Sequence, residues 1–432
     1  MSSLNRAVLA LLCLLLPLSS AMGEEAPRAL SLEQALLLAD SHFEQRLGEL
    51  DLQSTQTRIA SSEAGLYPQL SVSADFSAGV RGNTGEGYPD PSLQHGFDLG
   101  LGIRQLVYDF GRIDTRVRSL EASIEAQQSQ LERMRAQRRL LIELLYWQTL
   151  AAEALLEVAE ESVANRQKHL ERIAAFVELD TRPPIDLVQA QVDLATASTE
   201  LEAARIDVSL AKLQLSESMG VDWGADFELL PASSQQTSIE NESSEALLSR
   251  ALESRVEFRA QAARRQQLEL ELEAAELSNA PVISASAGLQ EGFSVDEIDA
   301  HGWSVSAAIG IQWSFYDGGA TQAAVDEASI AILSLELEEQ MLKLQVMQEL
   351  EAARLEILSN QTQLQSTQAA VLGAQERLAL AEGRYENGVG SIIELSDAAL
   401  SLSSARSQQV RAELSLAAAR AKLKTAVGDE SE

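Results

Sequence analysis

Cysteine is almost absent from this chain of 432 residues: one is present, Cys13. That excludes a disulfide framework and a cysteine-based metal site. The four histidines, His42, His95, His169 and His301, lie in separate segments with no nucleophile or ligand spacing around them, and no glycine-rich phosphate loop precedes a helix. An enzyme is therefore not expected, nor a cofactor or a bound metal. Basic residues are few, 33 Lys plus Arg against 65 Asp plus Glu, leaving a formal charge of -32. A chain so acidic is a poor binder of nucleic acid, which is gripped by basic patches. No apolar run reaches the length of a membrane-spanning helix. Aromatic residues make up 4%, too few for a compact core of this size. Hydrophobic residues nevertheless make up 45%, which excludes general disorder. They must be buried somewhere other than in one large globule.

The N-terminus carries Arg6, an apolar run from Ala7 to Leu18, and small residues at Ser19, Ser20, Ala21 and Gly23. This is the pattern of a secretory signal peptide, expected over residues 1–23. Cleavage near Gly23 would remove Cys13 with it. Export leaves the periplasm, the medium or an outer membrane entered as a β-barrel.

The remainder is a tandem duplication. Leu101-Gly-Ile-Arg-Gln-Leu-Val-Tyr-Asp-Phe-Gly111 matches Ile309-Gly-Ile-Gln-Trp-Ser-Phe-Tyr-Asp-Gly-Gly319 at an offset of 208. The same offset pairs Ile185-Asp186-Leu187 with Ile393-Glu394-Leu395, and Gly220 with Gly428. The repeats are expected over 24–220 and 243–428, joined by a loop-like segment, 221–242. Each repeat reads as a helix (Ser31 to Leu66, Ser243 to Ser278), two strands, a very long helix (Ile113 to about Glu178, Thr321 to about Glu386) and a shorter helix. A helix of about 66 residues spans roughly 100 Å. The two shorter helices placed end to end match that length, which suggests rods side by side. Ile332, Leu335, Leu342, Val346, Leu350, Ala353 and Ile357 recur at spacings of 3, 4 or 7, close to a coiled-coil seam.

The strands are expected near 69–80, 97–107, 282–290 and 303–313. Leu70, Val72, Ala74, Phe76, Ala78 and Val80 alternate with Ser71, Ser73, Asp75, Ser77 and Gly79. The charges Asp75, Asp98 and Arg104 all fall on the polar phase. One apolar and one small-polar face suits a transmembrane barrel; a half-buried strand of a soluble sandwich has the same period. Aromatic placement favours the barrel. Residues 67–111 and 281–317, about a fifth of the chain, hold 11 of its 19 aromatic residues. Tyr108, Phe110, Trp303, Trp313, Phe315 and Tyr316 read as an interfacial girdle. Four strands cannot close a barrel, so the chain must oligomerise. Three copies would supply twelve strands and twelve rods. The fold class is thus mainly α with a small β part.

The Tyr67-Pro68 and Ala280-Pro281 strand entries, Tyr108-Asp-Phe-Gly111 and Tyr316-Asp-Gly-Gly319, and Arg384-Tyr385-Glu-Asn-Gly388 with Ile393-Glu394-Leu395 together resemble the TolC-type outer-membrane efflux and export channels. The resemblance spans Ser31 to Gly428. It implies a homotrimer with a 12-stranded barrel in the outer-membrane lipid and a 12-helix tunnel in the periplasm, belted by the inter-repeat segment. It also implies an inner-membrane pump and a periplasmic adaptor as partners, which open a closed tip. By resemblance, Glu394 and Asp397 form an acidic ring at the constriction. Asp186 and Tyr385 latch neighbouring coils, and the tip at Gly388, Val389, Gly390, Arg182 and Pro183 docks the adaptor. Thr181-Arg182-Pro183-Pro184 departs from the family's glycine-containing turn, so the first tip should be stiffer and suited to a dedicated partner. The alternative is a soluble periplasmic coiled-coil scaffold with a small β domain.

Fractionation separates the two readings. A duct should leave the membrane only with detergent and run as heat-modifiable trimers on gels. Release by osmotic shock alone would favour the scaffold.

Overall fold

The computed structural model describes residues 29–39, 43–81, 92–221, 227–232, 238–294 and 301–429. The expected signal peptide with Cys13, His42, and Ser233 and Ser234 of the inter-repeat segment lie outside them. Eight helices are described: α1 (Leu32–Ala39), α2 (Phe43–Glu63), α3 (Arg112–Glu178), α4 (Pro184–Met219), α5 (Ser244–Ser254), α6 (Val256–Glu276), α7 (Ala320–Glu386) and α8 (Ile392–Val427). The strands are β1 (Ala29–Leu30), β2 (Gln69–Arg81), β3 (Ser92–Tyr108), β4 (Glu228–Leu229), β5 (Val282–Ser294) and β6 (His301–Gln312).

The long rods α3 and α7 have 67 residues each. Both start by the same device. Asp109 accepts the backbone N–H of Gly111 at 3.1 Å and of Ile113 at 2.9 Å, and Asp317 accepts those of Gly319 and Thr321 at 3.0 and 2.7 Å. A carboxylate there satisfies N–H groups that have no partner inside the helix and opposes the helix dipole. Beside α3 stand α2 on the strand side and α4 beyond it; beside α7 stand α6 and α8 in the same way. Contacts of α3 with α6 and α8 join the repeats, leaving α2 and α4 on one outer edge and α7 on the other.

Two cores at mid-height repeat each other at the offset of 208: Ile142, Leu215 and Met219 in one, Leu350, Leu423 and Val427 in the other. Small residues line the lower seam, with Ala398, Ala405, Ala412 and Ala419 of α8 all buried. They let the rods approach closely, whereas Leu at each place would hold them apart. The outer edges are different. On α7, Ile330, Leu333, Leu337, Met341 and Leu344 stay exposed at spacings of three and four; on α4, Ile185, Val188 and Val192, and further along Ile206, Leu210 and Leu213, are exposed too.

The helix before the second strand pair is not continuous. α5 stops at Ser254 and α6 restarts at Val256, with Arg255 extended between them (φ -68, ψ 130). Neither proline nor glycine marks this break. It makes room for the end of α8: Ser254 Oγ donates to the Val427 carbonyl at 2.5 Å, and a Cβ on Gly428 would lie 2.9 Å from that Oγ. Arg255 binds Glu257 at 3.0 Å and Glu349 at 2.8 Å. The mid-height belt also takes in the N-terminal segment, since β4 pairs in parallel with β1. Tyr146, fully buried, ties both together by donating to the carbonyls of Leu30 at 3.0 Å and Leu230 at 2.7 Å.

The four longer strands form one antiparallel sheet in the order β2-β3-β5-β6. β3 and β5 run further than the alternation marked, because β3 pairs with β2 back to Ser92 opposite Arg81, and β5 pairs with β3 as far as Ser294 opposite Gly96. The extension brings Glu291 onto the apolar phase, opposite Trp303. β6 ends at Gln312, so Trp313 follows the strand. The apolar phase lies open: Val72 and Ile309 are each 79% exposed. Among the described residues, the outward edges of β2 and β6 pair with nothing in the chain.

Tyr146→Phe should destabilise the belt by about 1 kcal/mol, because the hydroxyl bonds are lost while the Leu30 carbonyl keeps the Leu230 N–H at 2.9 Å. Thermal melts of the detergent-solubilised protein would register it, with the sheet unaffected.

Candidate functional site at the helical tip

At the end of the rods opposite the sheet, α3 turns into α4 and α7 into α8. The two turns use one hydrogen-bond pattern. Thr181 N donates to Phe176 O and Val389 N to Arg384 O, both at 3.0 Å; Asp180 N donates to Val177 O and Gly388 N to Tyr385 O, also at 3.0 Å. Such a helix ending needs one residue in the left-handed region. Gly388 takes it at φ 78, and Asp180, its counterpart at the offset of 208, at φ 54. Aspartate is among the few side chains that tolerate this conformation. The departure of the first turn is therefore in composition and not in backbone. Pro183 and Pro184 follow the turn and start α4, where proline suits the first helical positions. Ser391 starts α8 instead, its hydroxyl accepting the Glu394 N–H at 3.2 Å.

The two coils meet at Tyr385. Its hydroxyl donates to Asp186 Oδ2 at 2.9 Å, with both side chains buried. Arg182 lies over the ring with its guanidinium carbon 4.1 Å from the centroid. It donates to the Gly390 carbonyl at 3.3 Å and also to the Tyr385 carbonyl. Ile173, Ala190, Ala381, Leu395 and Ala398 pack around the pair. Burial, and next the hydrogen bond and charge of Asp186, push the Tyr385 phenol up to about 12, while Arg182 pulls it down.

Glu394 and Asp397 share a face of α8 in its first turns. Asp397 is exposed. Glu394 is not bare: its Oε1 lies 3.1 Å from Arg384 Nε, both side chains about half exposed. Water screens such a pair to roughly 1 kcal/mol or less. Val389 is exposed at the apex, 69%. Gly390 has no room for a side chain, since a Cβ would meet Tyr385 N at 2.9 Å.

A second polar junction escaped the sequence reading. Asp193 accepts from Arg166 at 3.3 Å, from Gln189 at 2.8 Å and from Ser396 of the other repeat. Asp193 is seven residues after Asp186, hence on the same helix face, and that period was the available signal. Between α3 and α7, Arg172 pairs with Glu386 at 3.1 Å and His169 with Glu382 at 3.4 Å. His169 sits below its ordinary value because burial outweighs Glu382, with Arg172 and Arg166 adding to the depression.

The aromatic residues occupy two levels. Tyr108 and Phe110 pack edge-on at 4.7 Å, and Trp313 and Phe315 lie 6.4 Å apart, all where the sheet meets the rods, with Tyr316 81% exposed. Trp303 stands towards the opposite end of β6.

The sequence model of the outer membrane efflux protein family matches residues 42–221 and 247–429. A search of curated protein sequences finds no match. Among solved structures, the outer-membrane channel OprN is 19% identical, covering 92% of this chain and 89% of its own, with a TM-score of 0.75. The outer membrane protein VceC of Vibrio cholerae is 18% identical, covering 92% and 96%, at 0.74. The open state of the MtrE outer membrane channel of Neisseria gonorrhoeae is 18% identical, covering 93% and 89%, at 0.70.

His169 gives the junction a pH dependence. Its folded-state pKa is depressed, so its contribution is intact above about pH 6.5 and is lost as pH falls through the folded pKa. His169→Gln should flatten the acid side of stability between about pH 7 and 5, measured by thermal melts across that range, and leave stability above it unaltered.

Proposed function

Because the chain belongs to the outer membrane efflux protein family, we propose that three copies form one passive exit duct from the periplasm through the outer membrane. Twelve strands close the barrel, twelve rods form the tunnel, and an inner-membrane pump and a periplasmic adaptor supply energy and open the tip. The observation that carries this reading is the four-stranded sheet with its apolar face exposed and two edges open. Lipid covers that face, and an unpaired edge in hydrocarbon costs several kcal/mol per group, so neighbouring copies must pair it. The apolar stripes on α7 and α4 support the same closure: the two outer edges of the rods carry seams that only another copy continues. A soluble scaffold leaves both features without purpose.

The tip is the gate in this reading. Asp186 and Tyr385 join the two coils within each copy and hold it shut. Three copies of Glu394 and Asp397 ring the constriction and favour cations there, with Arg384 moderating the first acid. The turns at Pro183, Val389 and Gly388 face the adaptor. Tyr108, Phe110, Trp313, Phe315 and Tyr316 anchor the periplasmic level of the barrel and Trp303 the outer one. The open state named for the gonococcal relative supports a duct that changes aperture. The cargo follows the pump, since the lumen itself supplies only charge and width.

Planar-bilayer recording tests this. The purified protein should form pores that prefer cations, and Glu394→Gln with Asp397→Asn should reduce that preference several-fold. Asp186→Ala and Tyr385→Phe should each raise conductance and the entry of antibiotics too large for porins. A protein that forms no pore would sink the duct; unchanged conductance in both latch variants would sink the gate.

A further inference from the structure

We propose that Arg182 is a staple of the gate: beside the Asp186 latch it grips the Tyr385 ring and two carbonyls of the second turn, so that the two repeats part at the tip only when four contacts break together. The inference rests on the gate reading above and adds a residue and a mode of opening to it.

Arg182 and Asp186 stand on the same side of the first tip, four residues apart. Between them they hold one residue of the second coil. Asp186 takes the Tyr385 hydroxyl at 2.9 Å, while Arg182 covers the ring at 4.1 Å and binds the Tyr385 carbonyl and the Gly390 carbonyl, the latter at 3.3 Å. The duplication explains why one coil grips the other. The counterpart of Arg182 at the offset of 208 is Gly390 itself, where a Cβ would meet Tyr385 N at 2.9 Å and Arg384 C at 3.0 Å. The second turn is therefore bare where the first carries a guanidinium, and the guanidinium lies against that bare turn. A planar cation with five donors can stack and bind two carbonyls at once; an ammonium cannot. The negative Asp186 and positive Arg182 also act on Tyr385 with opposite electrostatic sign, so the junction closes with its charges balanced. The guanidinium of the half-buried Arg182 is thus committed to the second coil while the tip is closed.

The test uses the full-length trimer in planar bilayers, comparing Arg182→Ala, Arg182→Lys, Tyr385→Phe and the Arg182→Ala/Tyr385→Phe double variant. Loss of the stack and two hydrogen bonds should raise the open fraction on the order of tenfold in Arg182→Ala. Arg182→Lys should fall between it and the native channel. The double variant should open less than the product of the single effects, since the contacts act as a unit. Melting of the trimer serves as the structural control and should stay at the native value in Arg182→Lys, which also carries the test if the alanine variant does not assemble. If Tyr385→Phe opens the channel while neither Arg182 variant does, the staple fails and the latch stands. Multiplying effects in the double variant would overturn the shared unit. If no variant alters a channel that conducts, the gate reading itself fails.

Discussion

A β-sheet placed in hydrocarbon cannot keep a free edge, because nothing in lipid replaces the missing hydrogen bonds. Each chain of this protein supplies four strands and two such edges. Much of the remaining architecture follows from closing them. In the proposed trimer the strands take partners from other copies, and the rods that leave the sheet inherit the same ring. Rods on a ring touch two neighbours each, so the single chain ends in two unsatisfied apolar seams, one along α7 and one along α4 and α2. Hydrophobic residues are numerous, yet no large core forms, because they are spread along seams and over a lipid-facing sheet.

The duplication lets one set of local solutions serve twice. An aspartate starts both long helices, and matching triples of buried residues hold both mid-height cores. Where the two copies differ, the difference has a physical use. Asp180 replaces Gly388 without changing the turn. Gly390 replaces Arg182 and leaves the second turn open to the first. Symmetry in backbone with asymmetry in side chains turns two equivalent tips into a gripping and a gripped partner.

The tip is polar where the mid-height cores are apolar. Tyr385 and Asp186 are buried and satisfied, and Asp193 gathers partners from three helices. Buried polar contacts of this kind contribute little net stability while they are made, but leaving them unmade is costly. Such a junction favours two discrete arrangements over gradual loosening, which suits the proposed gate. The belt, tied by Tyr146 between two backbone carbonyls, holds the rods together at mid-height.

Sequence alone determined the long rods, the four longer strands and the repeat that relates them: heptad spacing marks helices, strict alternation marks strands, and a fixed offset marks the duplication, because each is a local or periodic property of the chain. The family was also legible in this way, through motifs at matching offsets, and the pair Asp186–Tyr385 only through the resemblance those motifs carry. Tertiary structure decided what depends on contacts between distant segments. The break at Arg255 has no local cause and exists because α8 ends against it. Pairing across the sheet carried β3 and β5 past their alternation, since the register is set by the neighbouring strand. Arg182 reads in sequence as part of a tip that docks an adaptor; only the close approach of the second coil, permitted by Gly390, makes it part of the junction.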